Sequence, residues 1–466
     1  MEPQISAINR RTFIKSIPAA STLAAAALAN SAEPVQITQN HYDIIVAGAG
    51  PAGITAATQA ARCGVKTLLI EKNSIVGGTT VSAHVNFPGL FHAWGKQVIA
   101  GIGWELITKT VSHSDGQLPD FTADVGKAHY KHQVRIDKFV YSTLAEQMIV
   151  DAGCQLLLHS MPAAVEKRDN LWHVTICGKE GLQKVSATVL VDCTGDANLT
   201  AMAGLALTKP KDIQPGTVIF RLTGYDPKSL DFEKIQLAFE NSEKNGLIKW
   251  SDIGGTRQHA VRSFLSKSFG QNSHHVDNIP ADTSQNRTIA ELKGRESLMR
   301  IYNFFRTQSG LKNLHYEFFS HECGIRQTVN IVGKKTITAK DYVSGRMWPD
   351  AICYSFYPID LHQTGGKTID IQPLVRGTFP TIPRDAMLPE KGCNIIAAGR
   401  CISGDRMAHS AFRVQASCMA MGQAAGAMAA LAALEKTNVE NIPIKSVRLL
   451  LRKHNAIVPP DEPAQV

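Results

Sequence analysis

An α/β chain is predicted, in which a Rossmann-like nucleotide-binding domain is built from discontinuous segments and carries an inserted α+β substrate domain. Three observations predict it. Residues 41–72, HYDIIVAGAGPAGITAATQAARCGVKTLLIEK, read as a strand, a glycine-rich turn, a helix and a second strand ending on an acidic residue. Towards the other end, CNIIAAGRC runs a strand into glycine and AFRVQASCMAMGQAAGAMAALAALE makes a long small-residue helix. Between them, residues 201–370 turn more aromatic and polar, with asparagine and histidine clusters. The predicted organisation is a leader at 1–32, the first part of the nucleotide domain at 41–200, a substrate or cap domain at 201–370, a return segment at 371–436 and a C-terminal helix and tail at 437–466.

The leader reads as a twin-arginine export signal. NRRTFIKS places Arg10 and Arg11 ahead of Phe13, and Ile17–Ala29 is an alanine-rich apolar run with small residues for cleavage after Ala29 or Ala32. That run is too short to span a bilayer. Periplasmic delivery of a chain already folded around a large non-covalent cofactor is therefore expected, with the twin-arginine export machinery as a partner.

Tyr42 to Val46 form the first β-branched run, and Gly48, Gly50 and Gly53 follow at the spacing of a dinucleotide fingerprint. Gly48 permits the tight turn, Gly50 lets the backbone approach a pyrophosphate, and Gly53 lets the helix pack on the strand, leaving the N–H groups at the helix start for the anion. Glu71, at the end of the second strand, stands where the fingerprint places its acidic residue. A carboxylate there accepts from ribose hydroxyls and repels a 2′-phosphate, which argues against NADP. The motif by itself does not separate FAD from NAD.

NSIVGGTTVSAHVNFPG, with Gly77 and Gly78, is expected to be loop. Phe139 to Ala152 make an amphipathic helix, while LWHVTI and SATVLVDCTGD read as strands, the latter ending in Thr194, Gly195 and Asp196. GQNSHHVDNIPADTSQN is expected at the surface. Residues 416–434 carry no charge, but Gly422 and Gly426 lie four apart on one helical face, which favours close packing in a core over an integral membrane span.

The formal charge of +9 is scattered, without aromatic interleaving or a recognised nucleic-acid fold, so nucleic acid is not an expected partner. Nine cysteines in 466 residues make no disulfide framework, and Cys63, Cys177, Cys193 and Cys418 sit in apolar runs as small hydrophobes. No CxxC occurs, and the pair His321 and Cys323 lacks further ligands, so no metal site is expected.

Taken together, GAGPAG with Glu71, GGTT at Gly77–Thr80, VDCTGD, CGIRQTVNIVGKKTITAKDYVSGRMWPDAI, YPIDLH and IIAAGRCISGDRMAHSAFRVQASCMAMGQAAG carry a likeness over most of the mature chain. It resembles the bacterial FAD-dependent oxidoreductases with a single glutathione-reductase-like FAD domain. The resemblance implies FAD as cofactor, with pyrophosphate and adenosine ribose on Gly48, Gly50, Ala52, Gly53, Glu71 and Lys72, and Gly77, Gly78 and Thr79 passing close by. It implies that Thr194, Gly195 and Asp196 return the domain to its cofactor, that Gly399 and Arg400 turn against the pyrophosphate and ribityl chain, and that Gly422, Gln423 and Ala424 lie beside the flavin ring. Where much of the family has an acidic and a basic residue, this chain has Gln327 and Val329.

Flavin supplies hydride chemistry, so the protein has to position a small-molecule substrate and handle a proton. Candidates are His362 in YPIDLH, Arg326 in CGIRQT, Arg413 in AFRVQ and His84 after the glycine loop. The histidines have the pKa range for proton transfer, and the arginines suit a carboxylate or the flavin carbonyl. No second glycine fingerprint occurs between 200 and 370, so a separate NAD(P)H domain is not expected. Oxidation of a carbohydrate or organic acid, with electrons leaving to a quinone, a cytochrome or oxygen, is the leading expectation. A flavin-dependent reductase or monooxygenase fed by a partner, and a non-catalytic nucleotide-binding protein, are the alternatives.

Overall fold

The computed structural model describes residues 39–123, 128–254, 257–266, 274–364 and 369–461. The predicted twin-arginine leader lies outside the described residues.

The chain opens with β1 (His41–Ala47), α1 (Pro51–Arg62) and β2 (Thr67–Ile70), as the fingerprint requires. Pro51 supplies a helical φ at the first position of α1, and Gly64 leads the chain out in the left-handed region at φ 80. There follow α2 (Ile102–His113), α3 (Lys138–Asp151), β3 (Gln155–Leu157), β4 (Met161–Arg168), β5 (Leu171–Gly178) and β6 (Gly181–Asp192). The helix expected at 139–152 thus starts one residue earlier, where Asp137 caps it by accepting from the Val140 N–H at 2.9 Å.

One sheet organises these elements. Its parallel part runs β3, β2, β1, β6, and the β4–β5 hairpin pairs antiparallel with the first half of β6. The return strand β11 (Ile395–Ala397) pairs parallel with the last residues of β6, Leu190 to Asp192. The register sets Ala47 opposite Ile70 on one side and opposite Asp192 on the other. Strand order therefore diverges at β1, and the carboxyl ends of β1, β2, β6 and β11 share one edge, where an open α/β sheet binds its ligand.

A second apolar cluster, separate from the sheet's core, draws on residues from Val218 to Ile325. It includes β7 (Phe220–Thr223), α4 (Ser284–Arg306) and β8 (His315–Phe319), with β7 and β8 antiparallel. From Val329 onward, residues of the middle region join the first core instead. A ladder of β9 (Ile359–His362) and β10 (Ile369–Gln372) lies in this part, and α5 (Gln415–Leu434) and α6 (Ile444–Lys453) end the chain.

Two local expectations are corrected. The segment expected at the surface is so only in part: His274, His275, Val276, Ile279 and Ala281 are buried, while Asn278, Pro280, Thr283, Ser284 and Gln285 are exposed. A β-bridge between Gly216 and Val276 draws it in, and Val276 packs in the second cluster. Cys177 is exposed, because the alternation of β5 turns Trp172, Val174 and Ile176 inward and Cys177 outward.

Helix α5 is long and apolar enough to cross a membrane, yet it is largely buried against α1. The approach is backbone to backbone. A Cβ on Gly422 would lie 2.0 Å from the Ala52 carbonyl oxygen, and one on Gly426 would lie 2.3 Å from that of Ala56. The Thr55 hydroxyl completes the seam by donating to the Met419 carbonyl at 2.8 Å. G422A and G426A each force the helices apart, and each is expected to destabilise the fold by at least about 1–3 kcal/mol, the usual range for an overpacked core. A lowered midpoint in thermal unfolding, with both variants affected, checks this.

Candidate active site

At the shared edge of the sheet the glycine turns interlock. Gly48, at φ 92, turns the chain where a Cβ would meet the Cys193 carbonyl oxygen at 2.6 Å, and a Cβ on Gly53 would fall 1.8 Å from the Gly48 carbonyl oxygen. The second loop presses on the first: a Cβ on Gly78 would lie 2.8 Å from the Gly50 Cα, and the Gly77 N–H donates to the Ala49 carbonyl at 2.7 Å. From the far end of the chain, Gly399 brings the turn after β11 against Ala52, with 3.2 Å between its would-be Cβ and the Ala52 Cβ. The start of α1 has neither a side-chain cap nor an acid in its first turn, so its N–H groups and positive end are left for an anion. Glu71 is buried and accepts from the N–H groups of Ala49 at 2.7 Å and Asn73 at 2.9 Å, one on each oxygen. Each oxygen keeps a lone pair for a ribose hydroxyl.

The turn after β6 is held by carboxylates. Asp192, fully buried, accepts from the N–H and hydroxyl of both Thr194 and Thr200. Asp196 pairs with Arg400 at 2.5 Å and Arg287 at 2.8 Å, and accepts from the Thr328 hydroxyl at 2.8 Å. Burial alone would raise its pKa; Arg400 and Arg287 overcome that and hold it below the usual carboxylate range. Arg400 also donates to the Ile325 carbonyl at 3.0 Å.

Three of the four predicted catalytic residues meet in one polar cluster, Arg326 and His362 buried and Arg413 half-buried. Arg326 donates to the Pro215 carbonyl at 2.6 Å, and Arg413 donates to the Gln214 side-chain oxygen at 3.4 Å. His362, on β9, donates its backbone N–H to the same Gln214 oxygen at 3.3 Å. Its Nδ1 lies 3.2 Å from His275 Nε2, and its Nε2 faces Asp360 Oδ1 at 3.7 Å. Burial and the nearby Arg413 press Arg326 down to about 9. Burial and the field of Arg326 lower His362 to about 4 and His275 to about 3. Burial would raise Asp360, but His362, Arg413 and Arg326 bring it to about 2. At neutral pH these side chains therefore carry two guanidinium charges against one carboxylate, with both imidazoles neutral.

The fourth, His84, lies in another place, with its ring centroid 4.9 Å from that of Phe318 and 6.1 Å from that of His321. Lys72 pairs with Glu322, and Thr79 is exposed. Gly422 and Ala424 belong to the buried face of α5. Gln423 accepts from the Ile102 N–H at 3.0 Å and donates to Gln59 and to the His454 carbonyl, so its amide is occupied by the protein.

Sequence reasoning missed Asp360, His275, Gln214 and Tyr357, whose hydroxyl accepts from Gln133 at 3.0 Å. A signal existed for Asp360: two residues before His362 in a strand, it shares that residue's face. His275 stood in a segment read as surface loop.

Folding keeps His362 and His275 neutral where the unfolded chain, near 6.5, would be protonated. Their contribution to stability is complete above pH 6.5 and drains away as pH falls towards 4 and then 3, each at up to about 1.4 kcal/mol per pH unit. H275Q/H362Q is expected to bind about two fewer protons on unfolding in that window. Denaturation midpoints measured from pH 7 to 4 should therefore fall less steeply for the variant than for the wild type.

The family model described as FAD dependent oxidoreductase matches residues 43–451. Among curated proteins, the chain is 27% identical over 176 residues to the digeranylgeranylglycerophospholipid reductase of Methanocaldococcus jannaschii, covering 37% of this chain and 43% of the relative. It is 29% identical over 170 residues to the thiamine thiazole synthase of Methanococcus vannielii, covering 34% and 58%. The chain thus spans about half the length of the curated relatives it matches. A solved structure of a geranylgeranyl bacteriochlorophyll reductase-like protein from Thermoplasma acidophilum aligns with a TM-score of 0.40 at 12% identity, over 90% of this chain and 83% of that one. FAD is the cofactor this family uses, and the residues fit it: interlocked glycine turns that a Cβ would fill, an uncapped helix start for the pyrophosphate, and a buried carboxylate with lone pairs to spare for the ribose. With its family match running through nearly all of the described fold, the chain belongs to the FAD dependent oxidoreductases and is an enzyme of that class.

Proposed function

We propose that this enzyme works in the periplasm and oxidises a small organic acid, holding FAD in a single glutathione-reductase-like domain. The observation that carries the reading is an excess of positive charge: Arg326, buried, and Arg413, half-buried, have Asp360 as the carboxylate facing both among the described residues. Burying one guanidinium group and half-burying another is costly, and a substrate carboxylate offsets that cost by balancing the second charge. Arg413 Nε and Gln214 Nε2 are buried without a partner, so two donors await an acceptor. A carbohydrate, the other substrate class open from sequence, has no charge to answer the excess.

FAD, when bound, supplies the two-electron acceptor. The protein's own part is to bind and orient. Arg413 and Gln214 hold the substrate's carboxylate, Arg326 adds its field, and burial excludes water so that each of these interactions counts for more. The imidazoles of His362 and His275 are neutral, and a substrate carboxylate that offsets the field of Arg326 strengthens them as bases, which burial and that field otherwise weaken. The twin-arginine leader supports an external electron acceptor, a quinone, a cytochrome or oxygen, over soluble nicotinamide. The reductase among the matched relatives favours a second reading, in which electrons enter from a partner and the substrate is reduced.

The FAD-loaded protein, screened anaerobically against a panel of metabolites, is expected to bleach with an organic acid and not with neutral sugars. R413M should raise the half-saturating acid concentration about 10–100-fold, the effect of losing one or two charge-assisted hydrogen bonds. R413K, which keeps the charge and loses the fork, should fall between. Flavin that stays oxidised with every acid, but is reoxidised by a substrate once chemically reduced, would establish the reverse direction.

A further inference from the structure

The buried cluster contains two imidazoles in series, and their tautomers are linked. Between His362 Nδ1 and His275 Nε2, 3.2 Å apart, a hydrogen bond holds one proton, so the tautomer of either neutral ring dictates that of the other. Asp360 is the fixed point. Held at about 2, it is ionised and only accepts. At 3.7 Å its contact with His362 Nε2 is longer than a hydrogen bond, yet a bare lone pair facing that carboxylate is repelled and an N–H is attracted. His362 therefore carries its proton on Nε2 and accepts at Nδ1. His275 donates from Nε2, and its Nδ1 keeps a lone pair.

That Nδ1 is buried without a partner, on a residue only 7% exposed. The backbone that carries it is pinned. The His275 N–H donates to the Ser251 carbonyl at 2.9 Å. Next to it, His274 Nδ1 accepts from the Val218 N–H at 3.1 Å, and its Nε2 donates to the Ser297 hydroxyl at 2.8 Å. Ser297 in turn donates to Asp252, which Arg300 grips with two bonds of 2.9 and 2.7 Å. This second string ends on partners at every atom named, so its role is support. The first string ends on an open acceptor, and His362 links it to two open donors, Arg413 Nε and Gln214 Nε2: the His362 backbone N–H bonds the Gln214 oxygen that Arg413 also holds.

Two donors and one acceptor complement an anionic oxygen and a hydroxyl. Resting on the anion-site reading above, we propose that His275 Nδ1 is the base that takes the hydroxyl proton of a small hydroxy acid, whose carboxylate lies on Arg413 and Gln214. His362 and Asp360 are positioning residues that fix the tautomer of His275. In the step, the substrate O–H bond breaks and its proton goes to His275. The C–H bond on the same carbon breaks and the carbon–oxygen bond becomes double; FAD, when bound, would supply the two-electron acceptor for that hydrogen and its electron pair. The hydroxy acid leaves as a keto acid.

The test uses the FAD-loaded full chain with 15N-labelled histidine, the His275 signals being identified by their loss in H275Q. At pH 7, Nε2–H with a bare Nδ1 is expected. In D360N the new amide can donate to His362 Nε2, which shifts His275 towards Nδ1–H. A wild-type Nδ1–H tautomer, or one unmoved by D360N, overturns the relay. Glycolate, glycerate and both lactate enantiomers are then titrated anaerobically while flavin absorbance reports binding and bleaching. H275Q is expected to bind the acid within about threefold of wild type and to bleach about 10²–10⁴-fold more slowly, the span of a lost general base. A loss of binding equal to the loss of rate overturns the base role. If no acid binds while the tautomer is Nε2–H, the anion-site reading falls and the substrate class falls with it; if acids bind and the tautomer is reversed, the base assignment alone falls.

Discussion

The close approach of α1 and α5 is the constraint on which the rest depends. Two helices whose backbones touch cannot carry side chains between them, so Gly422 and Gly426 are fixed by sterics alone. The seam ties the first glycine motif to the return segment near the other end of the chain and delivers Gly399 against Ala52. Together with the pairing of β11 on β6, it presents the turns from the two ends of the chain at one edge of one sheet. Helix α5 is thus a structural spine. Of the residues that resemblance set beside the flavin, Gly422 packs against α1 and Gln423 bonds to Ile102, Gln59 and His454.

The buried cluster sets a different kind of requirement. A cluster that buries one guanidinium group and two imidazoles, and half-buries a second guanidinium and a carboxylate, gives up stability that apolar residues of the same volume would supply. Such arrangements persist where burial sharpens electrostatics, and here it does so in opposite directions on neighbouring groups: Asp360 is kept ionised and His362 is kept neutral. Groups whose pKa values are driven apart by their surroundings are able to take distinct parts in a proton transfer.

Much of the nucleotide edge was legible because its signals are local. Gly48, Gly50, Gly53 and Glu71 lie within one short stretch of chain, and a strand, turn, helix and strand can be read from period and punctuation. The return strand and its glycine were legible for the same reason. Arg326, Arg413 and His362 were found through resemblance, and the structure brings them together. What escaped was non-local. His275 is drawn inside by the bridge that its neighbour Val276 makes to Gly216, far away in sequence, and nothing in its polar surroundings announces that. Likewise, composition made 201–370 look uniform, whereas Val329 and later residues pack with the sheet's core and those from Val218 to Ile325 form a cluster of their own.

Asp196 joins parts of the molecule that have little else in common. Arg400 reaches it from the return turn, Arg287 from the first turns of α4 in the second cluster, and Thr328 from the stretch between them. To swing the second cluster away from the nucleotide edge as a hinged jaw would part a half-buried carboxylate from one of its two cations. That ion pair works against large rotations of the second cluster about the nucleotide edge.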